Sequence, residues 1–100
     1  MQVQPALAGE AYWEDFIEKM KIMDEKEMEL RETEDWEGIR NLLLAALPII
    51  RQGEYSCPGR EVFFQDSQEV VKEHIKTMEM MIKIDKKSAE IEEKMKELDL

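Results

Sequence analysis

One cysteine, Cys57, and one histidine, His74, are the only side chains of their types in this 100-residue sequence. A nucleophilic thiol needs a base within hydrogen-bond reach and a third group that orients the base. Cys57 stands next to Pro58, and no signature ties it to His74. Carboxylate di-metal bundles use a Glu-x-x-His step on facing helices. The residue three before His74 is Val71, so the step is missing. A lone Cys and a lone His also cannot build a zinc site without many carboxylates, and one Cys forms no internal disulfide. The four glycines are scattered at 9, 38, 53 and 59, which leaves no phosphate-cradling loop. Acids number 24, so no single pair of carboxylates stands out. The expectation is a protein that is not an enzyme, with no cofactor and no metal. Cys57 reads as a semi-buried thiol and His74 as a flank or core-edge residue.

The elements that carry these residues read as three helices. Helix 1 is expected from about Glu10 to Glu32, after a flexible tail over 1–9. Its apolar stripe is Trp13, Phe16, Ile17, Met20, Met23 and Leu30, in steps of three and four. Helix 2 is expected from about Asp35 to Gln52, capped by Thr33 or Asp35 and ended by Gly53. Pro48 lies inside it and predicts a kink or a ragged last turn. A long loop over 53–65 follows, whose Tyr55, Val62, Phe63 and Phe64 fold over the open end of the bundle. A short extended piece at 61–64 is compatible with it. Helix 3 is expected to start at a capping box of Asp66 and Glu69 and to run to about Leu98. At 1.5 Å per residue it is roughly 48 Å long against roughly 35 Å for helix 1, so part of it should overhang. Residues 10–100 thus form a single helical domain. The fold class is all-α: an antiparallel three-helix bundle or hairpin with a long C-terminal helix, alone or paired with a second copy.

The composition narrows what such a bundle does. A net charge of -10 opposes binding to a phosphate backbone, which needs a basic patch. No apolar run approaches the ~18 residues of a membrane span, and Met1-Gln2-Val3-Gln4-Pro5-Ala6 lacks the features of a signal peptide. Nucleic-acid binding and membrane insertion are not expected, and a cytoplasmic location is. Apolar surface, by contrast, is in surplus. Leu42 to Leu47 is an unbroken apolar run, and Met78 to Ile84 is apolar on more than one side of its helix. Eight methionines are present, six of them in two groups, at 20, 23 and 28 and at 78, 80 and 81. Methionine is unbranched and polarisable and suits adaptable binding grooves. Exposed apolar patches above a few hundred Å² mark partner sites.

The order of features resembles the FliT family of flagellar type III export chaperones. The residues that carry the likeness are Glu34-Asp35-Trp36-Glu37 after an acidic turn, then a Leu-rich helix ending Leu47-Pro48-Ile49-Ile50. After a loop come Met81-Ile82-Lys83-Ile84-Asp85-Lys86-Lys87 and Ile91-Glu92-Glu93-Lys94. The likeness spans about residues 12–98. It implies a small all-helical cytoplasmic protein that binds the C-terminal region of the flagellar filament-cap protein. Such a protein prevents premature assembly and delivers its client to the export apparatus, with contacts to export ATPase components. Members commonly carry a further C-terminal helix over the client surface, and no segment of these 100 residues corresponds to it. The loop with Cys57-Pro58-Gly59 and Phe63-Phe64 also falls outside the family's pattern.

The binding mode expected from the residues is a client helix laid into an apolar groove on helices 2 and 3. The groove residues would be Leu44, Leu47, Met80, Met81, Ile84 and Ile91. An alternative is a helical adaptor or structural homo-oligomer with no export role. A third reading, an acidic mimic of nucleic acid, fits poorly, because nine acids on helix 3 are interspersed with seven lysines.

Overall fold

A computed structural model of the chain describes residues 5–98, with side-chain surroundings from residue 9 onward. Three helices follow one another: α1 (Pro5–Glu32), α2 (Trp36–Ser56) and α3 (Glu61–Leu98). The all-α reading holds, and no strand occurs among the described residues. None of the described helices is long and apolar enough to cross a membrane.

The turn between α1 and α2 is set by local chemistry. Glu34 takes a positive φ of 54°, which reverses the chain. Asp35 then caps α2, its carboxylate accepting the Gly38 N–H at 2.9 Å. This satisfies one of the orphan donors of the first turn. Of the two expected caps, Asp35 is the one used; the Thr33 hydroxyl bonds back to the Leu30 carbonyl instead.

The second connection differs from the expected long loop. α2 continues four residues past Gln52 and α3 begins at Glu61, so only residues 57–60 are non-helical. Gly53 is a buried socket within α2 instead of its terminator. A Cβ there would collide with the Phe64 ring. Only glycine lets that ring seat directly on the α2 backbone, and Phe64 is fully buried as a result. The turn itself uses Gly59 at φ +91°, a conformation that side chains disfavour. The Gly59 N–H donates to both carboxylate oxygens of Glu61 at 3.0 Å. That contact draws the Glu61 carboxyl below its usual range. Asp66, expected as a cap, lies inside α3. Pro48 also lies inside α2, which is assigned as one helix through it. Pro48 has no N–H to offer the Leu44 carbonyl one turn earlier.

Residues 5–9, expected within a flexible tail, form the first turns of α1. Residues 1–4 of that tail lie outside the described residues. The start of α1 is held to the far turn: the Cys57 thiol donates to the Gly9 carbonyl at 3.6 Å, and the Tyr12 hydroxyl donates to the Ile49 carbonyl at 2.8 Å.

The core has two parts along α2. At the closed end Phe16, Ala46, Ile50, Cys57 and Phe64 pack together, flanked by Tyr12, Trp13 and Val71. Toward the α1–α2 turn Ile39, Leu43, Ile75 and Met78 pack together, flanked by Leu30, Trp36 and Met81. α2 is the central helix, packing on both α1 and α3, whose backbones do not approach each other. Beyond Ile82 only the α1–α2 turn stands beside α3, at Asp85 and Lys86, and every residue from Lys83 to Leu98 is exposed. The expected overhang is therefore real, and the molecule measures 78 × 21 × 16 Å.

Candidate protein-binding surface

The chemistry-bearing residues end in quiet places. Cys57 is buried, and burial pushes its thiol above the ordinary value while the nearby Arg60 charge opposes the rise. A thiol held protonated is a poor nucleophile. His74 sits at the edge of the bundle. The Arg31 guanidinium donates to its Nε2 at 2.7 Å, so the ring proton belongs on Nδ1, which faces Glu27 at 3.9 Å. No cluster of metal-ligating side chains occurs among the described residues. What the fold does assemble is apolar surface, in two separate places.

The first is a groove between α1 and α3. Both helices lean on α2 while their backbones stay apart, so a channel runs between them with Ile50 and Phe16 as its floor. Ile17 and Met20 form one wall and Phe63, Val70 and Val71 the other, with Asp24 and Asp66 on the rims. Its volume is about 480 Å³. Side-chain bridges close it at both ends. Phe16 meets Phe63 and Phe64 edge-on at 6.3 and 5.0 Å, and Trp13 meets them at 5.3 and 5.9 Å. At the other end Arg31 and Glu27 reach His74. The span from Phe63 to His74 is about three helical turns, or roughly 16 Å. Arg60 covers the outer face of Trp13 at 3.8 Å, a cation–π contact that holds the aromatic end shut.

The second surface is the free half of α3. Ile84, Ile91, Met95 and Leu98 are all more than half exposed there, as is Met80 just before it. Lys83, Ile84, Lys87, Ser88 and Ile91 line a shallow hollow of about 250 Å³.

The six expected groove residues do not come together. Ile84 and Ile91 share the hollow on the free half of α3, and Met80 stands exposed one turn earlier. Met81 packs against the second core cluster. Leu44 is on the outer side of α2, and Leu47 is half-buried. The channel between α1 and α3 was missed. Its signal was the pair of apolar doublets Phe63–Phe64 and Val70–Val71, seven residues apart. In each doublet one member enters the core and the other is left on the neighbouring face, and Phe63 and Val70 are those left over.

No family model, curated protein or solved structure matches the chain.

Proposed function

We propose that this chain is a protein-binding chaperone of the flagellar export kind. On this reading its client is an amphipathic helix from the C-terminal segment of the filament-cap protein. The supporting observation is the channel between α1 and α3, an apolar trough about three turns long that lacks a fourth helix. A helix laid there would turn an open three-helix arrangement into a closed bundle. The rims Asp24 and Asp66 favour an occupant with basic flanks beside its apolar face. Sequestering that face keeps the client from assembling early, and contact with export ATPase components would complete delivery. The cytoplasm is where such a client is made and held.

The test is capture of the client's C-terminal segment by the purified chain, read by calorimetry. Val70 and Ile17 are exposed channel walls, so Val70→Glu and Ile17→Glu should fold normally and weaken capture at least tenfold. Leu44→Glu, on the outer side of α2, should capture like wild type. Failure of the wild-type chain to bind overturns the proposed client. Loss on Leu44→Glu with retention on Val70→Glu moves the site back to helices 2 and 3.

A further inference from the structure

The free half of α3 presents its apolar side chains in an order that the bundle does not use. Ile84, Ile91 and Leu98 recur every seven residues, with Ser88 and Met95 between them at alternating steps of four and three. That is the a/d rhythm of a two-stranded coiled coil, with Ile84, Ile91 and Leu98 at d and Ser88 and Met95 at a. The hollow on this segment includes Ile84, Lys87, Ser88 and Ile91. Those positions, i, i+3, i+4 and i+7, form the four-cornered hole that receives a knob from a facing helix.

The stripe cannot serve the parent bundle. Ile75, which packs in the core, and Ile84, which is exposed, are nine residues apart. Nine residues are two and a half turns, so the two face opposite sides of α3. Whatever covers Ile84 must approach from the side away from α2.

Charge identifies the occupant. Between 83 and 98 there are five lysines and five carboxylates, whereas the whole chain carries -10. The free segment is thus electrically neutral, and the excess negative charge lies on the rest of the molecule. Two such segments can meet without net repulsion while their bundles repel. Beside the stripe, Asp85 and Glu92 occupy e positions and Lys87 and Lys94 occupy g positions. In a parallel pair each g side chain faces the e side chain five residues further along the partner, which matches Lys87 with Glu92 twice. In an antiparallel pair g faces g and e faces e, which would set lysine against lysine and acid against acid.

We infer that residues 84–98 form a parallel, in-register coiled coil with a second copy of this chain. The inference does not rest on the client reading, because the channel between α1 and α3 stays open in such a dimer. With barely more than two heptads and Ser88 in the seam, the association is reversible on dilution.

Sedimentation equilibrium of the full chain across a wide concentration range tests it. The mass should climb from 11.9 kDa toward twice that value. Ile91→Glu should hold it at the monomer with unchanged far-UV circular dichroism of the bundle. Lys87→Glu alone and Glu92→Lys alone should each weaken dimerisation severalfold, and the double swap should restore it. In a Cys57→Ala background, Ser88→Cys should form a disulfide-linked dimer under mild oxidation, because a parallel register places the two Ser88 positions side by side. A monomer at every concentration overturns the inference, as does a dimer that survives Ile91→Glu. Absence of rescue by the double swap, or of the Ser88→Cys link, overturns the parallel arrangement. Client capture by monomeric Ile91→Glu separates the two readings: it should persist whether or not the coiled coil exists.

Discussion

The two halves of α3 are one helix under two different regimes. Over 61–82 the side chains that matter point at α2, and Phe64, Ile75 and Met78 are at most 7% exposed. Over 83–98 every residue is exposed, and Ile84, Ile91, Met95 and Leu98 are 53–85% exposed. Both halves carry helical periodicity, yet their apolar stripes lie on opposite sides. Periodicity alone therefore says that a helix has an apolar face. It does not say whether the same chain supplies the cover.

Mutations that compare the halves should separate them sharply. The largest effect belongs to the bundle: Phe64→Ala empties the socket above Gly53 and should cost about 3–5 kcal/mol. Ile39→Ala should cost about 2–5 kcal/mol on the same ground, since Ile39 is fully buried. Ile84→Ala should change stability by less than about 0.5 kcal/mol in dilute solution, as for other surface sites. Urea titrations followed by circular dichroism measure all three. Equal losses at Ile39 and Ile84 would mean that the free half is packed after all.

A middling effect should come from the turn that starts α2. Asp35→Ala removes the side chain that accepts the Gly38 N–H and should cost about 1 kcal/mol. The midpoint of the same titration reads it. Asp35→Asn keeps an acceptor oxygen and should recover most of the loss.

The smallest effect is a pH dependence at the closed end of the bundle. Burial raises the Cys57 thiol above its ordinary 9.0 and the Tyr12 hydroxyl above its ordinary 10.0. Folding therefore holds both protons more tightly than the unfolded chain does. Their contribution is complete below about pH 9 and is lost as pH rises through the raised values. Urea midpoints at pH 7 and pH 10 should differ, and Cys57→Ala should flatten part of that difference.

Much of the architecture was legible from residue spacing. The α1 stripe from Trp13 to Leu30, the Asp35 cap and the overhang of α3 all follow from periodicity and local capping. The connection between α2 and α3 did not, because Gly53 and the aromatics after it resemble loop punctuation. Glycine ends a helix and also admits a ring against one, and only the position of Phe64 across the interface decides which. The candidate surface was legible in half. The two-sided stretch from Met78 to Ile84 does mark where α3 turns its apolar face outward. The channel between α1 and α3 depends on α2 being the middle helix, and helix order in space is not written in any one helix's pattern. That is why residue spacing alone puts Leu44 and Leu47 in one groove with Ile84 and Ile91.

α3 contains neither glycine nor proline from Glu61 to Leu98. It therefore behaves as a stiff beam with no pivot where the bundle ends. Sixteen residues beyond Ile82 carry Leu98 roughly 24 Å outward, at an azimuth locked to the seating of Phe64. Any object gripping that beam has its distance and its angle to the channel between α1 and α3 dictated in advance. Two beams clasped together would hold two such channels at a fixed spacing, so a client with two binding segments would meet the second at a high effective concentration.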